Sequence, residues 1–186
     1  MFEILYEDNH IIVAEKPQNM IIAGDKTGDE SMYDTLKEYV RVKYNKPGEA
    51  YLGLVHRLDR PAGGLAVFAR TSKAAARLTA QLKVHEMGRE YLCVVRGEVP
   101  DEFTLTDYLI KDEIRNRVEV CSADQKGAQL AVLHGHCIDR RQGTALCSIR
   151  LETGRSHQIR VQMSNIGAPL WGDNRYGNGK RGEQIA

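Results

Sequence analysis

Val55-His-Arg-Leu-Asp-Arg-Pro-Ala-Gly-Gly-Leu65 joins two apolar runs, Leu52–Leu58 and Leu65–Arg70, that read as strands flanking the loop Asp59–Gly64. An acid, Asp59, stands between Arg57 and Arg60 where the first strand ends. Flanking guanidiniums would hold such a carboxylate ionised, and a loop edge would expose it as a nucleophile or general base. The plainer alternative is a surface ion pair at a strand end. Pro61, Gly63 and Gly64 weigh against it, because adjacent glycines permit close backbone approach to a ligand.

Outward from this loop, Phe2–Tyr6 and Ile11–Lys16 are β-type runs around Asp8-Asn9, a hairpin pattern ending at Pro17. Ser31 and Asp34 resemble a helix cap, with Tyr33, Leu36, Val40 and Tyr44 following at helical spacing until Asn45-Lys-Pro-Gly48. Ser72 is expected to cap a second helix running to about His85. Glu90–Arg96 is strongly β-prone. Between 103 and 152 several short β-like runs alternate with polar turns, among them Gln129–Cys137 and Ala145–Leu151. A last helix is predicted from about Ser156 to Asn165, with Gly167 after its end. Few helices, and no regular strand–helix alternation, indicate an α+β fold with a mixed, mainly antiparallel sheet.

A second chemical segment is Thr153-Gly-Arg-Ser-His-Gln-Ile-Arg-Val-Gln162. Arg155 and His157 fall near a helix N-terminus, where backbone donors could hold a phosphate; a solvated amphipathic helix is the bland reading. The only tryptophan, Trp171, lies in a Gly/Pro loop, Gly167–Gly177. The chain contains no G-x-S-x-G, no P-loop and no G-x-G-x-x-G. His134 and His136 could face a metal together, but no third ligand stands nearby in sequence.

The chain has 186 residues and a net charge of +1. Residues 1–50 carry −4, 51–90 +4, 91–139 −4 and 140–186 +5, so two basic segments could combine into a field suited to a polyanion. Four scattered cysteines without a C-x-x-C pair are expected as buried free thiols of a cytoplasmic protein. No apolar run approaches the roughly 18 residues of a membrane span.

Together HRLDRPAGGL, GREYLCVV, GRSHQIRVQM and GDNRYG resemble, in order, the motifs of the RluA-type family of RNA pseudouridine synthases, from about residue 3 to residue 177. The resemblance implies conversion of uridine in rRNA or tRNA to pseudouridine, without cofactor or metal, in a basic groove between two lobes. It gives Asp59 as the essential aspartate, Tyr91 as the base-stacking tyrosine and Arg160 as the basic residue paired with the aspartate. Arg57 would help open the RNA and Ile159 would support the pocket. His56, Arg60, Arg155 and His157 complete the expected substrate contacts. The partner is expected to be a structured RNA stem-loop, bound by a monomer.

Three features depart from the family pattern. Arg-Pro-Ala-Gly-Gly follows the HRLD tetrad where many members have a Thr-Ser-Gly loop, and Arg89 replaces the usual lysine. The sequence ends at GKRGEQIA, so residues 1–186 are expected to be one catalytic domain without the family's closing β segment or a separate N-terminal RNA-binding domain. The alternative to an active isomerase is a weakly catalytic or inactive RNA-binding module on the same fold. A base-excising glycosidase would use similar carboxylate logic but release free uracil.

Overall fold

Ile12, Ala14 and Lys16 alternate with Ile11, Val13 and Glu15, and this period of two makes a strand with one face turned inward. All three inward residues are fully buried. The computed structural model describes residues 2–177, 179 and 184–185, and the chain forms two compact units, Met1–Met87 and Gly88–Ala186.

In the first unit, β1 (Ile4–Glu7) and β2 (Ile11–Lys16) form the expected hairpin. Its turn is closed by the Asp8 carboxylate, which accepts the N–H groups of His10 and Ile11 at 2.7 and 2.8 Å. Helix α1 (Met32–Lys43) starts where the side chain of Ser31 accepts the Asp34 N–H, as its sequence predicts. Two more strands, β3 (Gly53–Leu54) and β4 (Gly64–Ala69), complete a sheet of order β1-β2-β4-β3. Met32, Leu36 and Val40 of α1 pack with Ile12, Ala14 and Phe68. The second helix, α2 (Ser72–Lys83), is capped by Thr71 rather than Ser72, the Thr71 hydroxyl accepting the Ala74 N–H at 3.1 Å.

The strand expected over Leu52–Leu58 pairs only at Gly53 and Leu54. Past that point the Val67 N–H donates to His56 Nε2 at 3.1 Å, so a side chain replaces the main-chain acceptor and residues 55–58 leave the ladder.

The second unit holds β5 (Glu90–Arg96), β6 (Glu102–Asp112), β7 (Arg117–Cys121), β8 (Gln129–Arg141), β9 (Thr144–Leu151) and α3 (Gln158–Asn165). The strands form one antiparallel sheet of order β5-β9-β8-β6-β7. β6 and β8 run 11 and 13 residues, longer than the hydropathy pattern indicates. Their polar residues Thr104, Thr106, His134 and His136 interrupt the apolar pattern without interrupting the ladder. The β8–β9 turn places Gln142 and Gly143 at φ 49° and 76°. These left-handed values belong to the two-residue turn whose twist matches the strands.

Inward residues Leu133, Cys147 and Ile149 pack with Met163 of α3. Cys93, Cys147 and Cys137 sit side by side on β5, β9 and β8. Burial pushes the Cys93 thiol up to about 12 and the Cys147 thiol up to about 11, so both remain protonated at neutral pH. The free-thiol expectation holds for all four cysteines, although Cys121 is only half-buried. No helix among the described residues is long and apolar enough to cross a membrane.

Gly135 faces Phe103 across the β6–β8 ladder, and a Cβ built there would fall 2.0 Å from the ring. Gly135→Ala is therefore expected to cost about 1–3 kcal/mol through overpacking, seen as a lower Tm. Part of that loss should be recovered when Phe103 is shortened to leucine; purely additive effects would show that the two residues do not couple.

Candidate active site

In the first unit, a lysine holds the segment bearing Asp59. Lys16 ends the buried face of β2, and its Nζ donates to the carbonyls of Pro17 (3.0 Å), Met20 (2.7 Å) and Arg60 (3.1 Å). All three ammonium protons thus go to main-chain oxygens, one of them belonging to the residue immediately after Asp59. Burial pushes the Lys16 ammonium down from its ordinary 10.5 to about 8, against an opposing pull from the Asp59 carboxylate.

Asp59 is half-buried, and its carbonyl accepts the Ala62 N–H at 3.1 Å to close the turn. Gly63 lies so close to the Lys16–Gln18 turn that an added Cβ would sit 3.2 Å from Gln18 Cγ and 3.5 Å from the Lys16 carbonyl. Gly64 takes φ +128°, a value side chains rarely allow. Both glycines thus serve contacts and conformations within the unit.

The arginines of this segment diverge in role. Arg57 is exposed. The Arg60 guanidinium pairs with Asp29 and reaches Thr27 Oγ1 at 3.4 Å. Arg60 thus neutralises Asp29, while the Asp59 carboxylate opposes the effect of burial on the Lys16 ammonium. His56, through the Val67 N–H, fixes the approach of the chain to this loop.

In the second unit, Arg89 of GREYL bonds the two residues that lead into TGRSH. The Arg89 carbonyl accepts the Leu151 N–H at 3.0 Å, and Arg89 Nη2 donates to the Glu152 carbonyl at 2.9 Å. Tyr91 on β5 and Ile159 on α3 are both half-buried against one core cluster.

Helix α3 begins at Gln158 rather than near Ser156, because His157 adopts a left-handed conformation at φ 52°. Gln158 is buried. Its side-chain oxygen accepts from Thr153 Oγ1 (2.8 Å) and the Arg155 N–H (3.0 Å), while its Nε2 donates to the Val132 carbonyl (3.1 Å). The Arg155–His157 turn is thereby tied to β8. His157 Nδ1 shares a hydrogen bond of 2.7 Å with the Tyr176 hydroxyl, which also accepts the Val118 N–H at 2.8 Å.

Arg160 is buried and bidentate to Asp173, with Nε to Oδ2 at 2.8 Å and Nη2 to Oδ1 at 3.0 Å. The Arg175 and Tyr176 N–H groups also donate to Asp173 Oδ1, at 2.9 and 3.1 Å. Burial pushes the Asp173 carboxyl up, but Arg160 and these two N–H groups hold it below its ordinary value. The Tyr176 ring lies 5.1 Å from Arg160 Cζ and 5.7 Å from Arg117 Cζ.

The sequence reading assigned no role to Asp173, Tyr176 or Lys16. The available signal for Asp173 was an acid placed directly after a glycine, Gly172, in GDNRYG. Trp171 stacks under Arg96, whose Cζ is 4.3 Å from its ring, in a segment that pairs with the β5 edge through the Val95–Leu170 bridge. Its tight loop thus serves the edge of a sheet. His134 and His136 reach Glu152 (3.3 Å) and Glu102 (2.7 Å), and no metal-binding group of three or more ligands occurs among the described residues.

Asp173→Ala would remove the bidentate carboxylate bond to the buried Arg160 guanidinium, a change expected to cost about 3–5 kcal/mol. Thermal unfolding of Asp173→Ala, Arg160→Met and the double variant checks this, the double being more stable than Asp173→Ala alone. Because the Asp173 pKa is lowered, its contribution is present above the ordinary carboxylate range and is lost as pH falls through the folded value.

Solved structures identify the architecture. The human RNA pseudouridylate synthase domain containing 4 superposes with a TM-score of 0.79 at 22% identity, covering 96% of this chain and 70% of that one. The corresponding human domain containing 1 gives 0.75 at 22%, covering 100% and 75%. The chain therefore has the fold of pseudouridylate synthase domains. It belongs to the RNA pseudouridylate synthase family, whose sequence pattern matches residues 10–165 and so spans Asp59, Tyr91 and Arg160.

Among curated relatives, ribosomal large subunit pseudouridine synthase D of Zymomonas mobilis is 35% identical over 183 residues, 96% of this chain and 57% of that protein. The Pseudomonas aeruginosa synthase D is 36% identical over 179 residues, 94% and 53%. A tRNA pseudouridine synthase C of Pectobacterium carotovorum is 30% identical, covering 96% and 49%. The chain spans about half the length of these relatives.

Proposed function

We propose that this protein isomerises specific uridines of rRNA or tRNA to pseudouridine, with the Asp59 carboxylate as the reacting group. The observation that carries the reading is the Asp59 loop, a carboxylate turn anchored by a buried lysine within a chain of this family. Breaking the bond from uracil N1 to the ribose anomeric carbon develops positive charge on the sugar, which a fixed carboxylate stabilises. Asp59 acts on the sugar by one of two routes, attack at the anomeric carbon or removal of the neighbouring ribose proton to give a glycal. In each route uracil turns and rejoins through carbon 5, and the hydrogen on that carbon leaves as a proton.

A uridine in a stem must first be flipped out, at a cost of a few kcal/mol. The roles of Tyr91 as stacking platform and Arg57 as the residue filling the vacated space offset part of that cost, about 1–3 kcal/mol per stacked base. Arg160, oriented by Asp173, supplies the basic group, and Ile159 supports the pocket wall. His56, Arg60, Arg155 and His157 complete the substrate-contacting set. The protein acts as a cytoplasmic monomer on a structured stem-loop.

The test is tritium release from RNA labelled at uracil carbon 5, with the products digested to nucleosides. Release accompanied by pseudouridine is the expected result. Binding without release would make the protein an RNA-binding module, and free uracil without release would make it a glycosidase.

A further inference from the structure

We propose that a cleft of about 450 Å³ in the second unit is an auxiliary anchor for RNA backbone phosphates. This rests on the reading of RNA as the substrate, and of its cations only Arg155 belongs to the substrate-contacting set above. Three separate pieces of chain bring cations to the cleft. Lys111 comes from β6, Lys126 from the turn between β7 and β8, and Arg155 from the turn before α3, where Ser156 adds a hydroxyl.

One carboxylate, Glu113, also lines it, and this group is already bonded to Lys111 Nζ at 2.7 Å. Arg155 Nε donates to the Leu130 carbonyl at 2.9 Å, which fixes the plane of an otherwise exposed guanidinium. Lys126 is exposed, and the Lys111 side chain keeps a third of its surface accessible. The lining thus carries a surplus of positive charge on reachable donors.

Its composition also selects the part of RNA that it suits. No aromatic ring lines the cleft, so it offers bases nothing to stack on. Leu109 and Val118 give it an apolar floor, and the polar groups that could read a base edge are few. Exposed lysines and an arginine act on phosphate oxygens without regard to sequence, and contacts of this kind set position rather than base choice. The volume accommodates a phosphodiester with part of its sugar. A small buried anion would instead require enclosed donors, and these cations are open to solvent.

The experiment compares wild type with the double variant Lys111→Ala/Lys126→Ala, measuring affinity for an unmodified large-subunit rRNA transcript over a range of salt. Removal of one phosphate-binding cation should reduce the slope of log affinity against log salt by about 0.7–0.9, so the double variant should show a slope smaller by about 1.5. Its Tm and its tritium release at saturating RNA should stay at wild-type values. An unchanged slope would overturn the proposal. So would an equal fall produced by Lys37→Ala/Lys46→Ala in the first unit, since that would reduce the effect to bulk charge. Failure of the isomerase reading shows separately, as absence of tritium release from the wild type whatever the salt slope does.

Discussion

Asp59→Ala will lose at least ~10⁴-fold in turnover on uridine-containing RNA while its affinity for that RNA stays within a few-fold of wild type. The first half follows from the proposed role of Asp59, since removal of a group that attacks or deprotonates leaves only binding and positioning to accelerate the reaction. The second half follows from electrostatics, because a carboxylate adds nothing to the attraction of a polyphosphate. Alanine should leave the loop folded. The Lys16–Arg60 bond, the Asp59 carbonyl to Ala62 N–H turn and the close seat of Gly63 are contacts that alanine at 59 keeps. Single-turnover tritium release at saturating RNA, with affinity measured on the same preparation, reads both halves. A variant keeping more than about one-hundredth of wild-type turnover would remove Asp59 from the reacting position.

Local signals made much of the architecture readable. The hairpin at Asp8, the Ser31 cap and the seven-residue strand Glu90–Arg96 each follow from chemistry within a few residues, and each stands where the sequence placed it. The α+β class followed from the same elements. What escaped was set by partners far along the chain. Strand β3 stops early because His56 reaches Val67, eleven residues on, and Asp173 gains its role from Arg160, thirteen residues before it. Periodicity has no access to such pairings.

Lys16 was within reach of the sequence. In an alternating strand a lysine in phase with Ile12 and Ala14 belongs to the buried face, although the following Pro17 makes it resemble a solvated strand end. Among the predicted site residues, Tyr91 and Ile159 are brought to one core, and Arg160 is given a carboxylate that the sequence reading had not named.

The second large effect concerns that lysine. Lys16→Met will lower kcat about 100-fold with little change in KM, and it will do so in a folded protein. Two opposing terms set the stability. Methionine leaves the carbonyls of Pro17, Met20 and Arg60 without their donor, at about 1–3 kcal/mol for each buried acceptor. It also removes a buried charge whose burden, from the drop of the pKa from 10.5 to about 8, is about 3 kcal/mol. The net loss is thus a few kcal/mol, while the Arg60 carbonyl next to Asp59 loses its anchor. Displacement of a reacting group by about 1 Å can cost 10²-fold, which sets the size of the kcat effect.

The pH dependence separates positioning from simple unfolding. Below pH 8 Lys16 is charged in both the folded and unfolded states. Between about 8 and 10.5 the unfolded chain keeps the proton and the folded chain releases it, so the Lys16 contribution to stability rises with pH over that window. Wild-type kcat should fall over the same window, because a neutral amine has two protons for three carbonyls and no longer places a positive charge near Asp59. Lys16→Met should lack that alkaline fall. The decisive comparison is kcat and Tm measured together from pH 7 to 10. A wild-type Tm that collapsed in step with kcat, or a variant that kept the same alkaline fall, would assign the loss to something other than the Lys16 anchor.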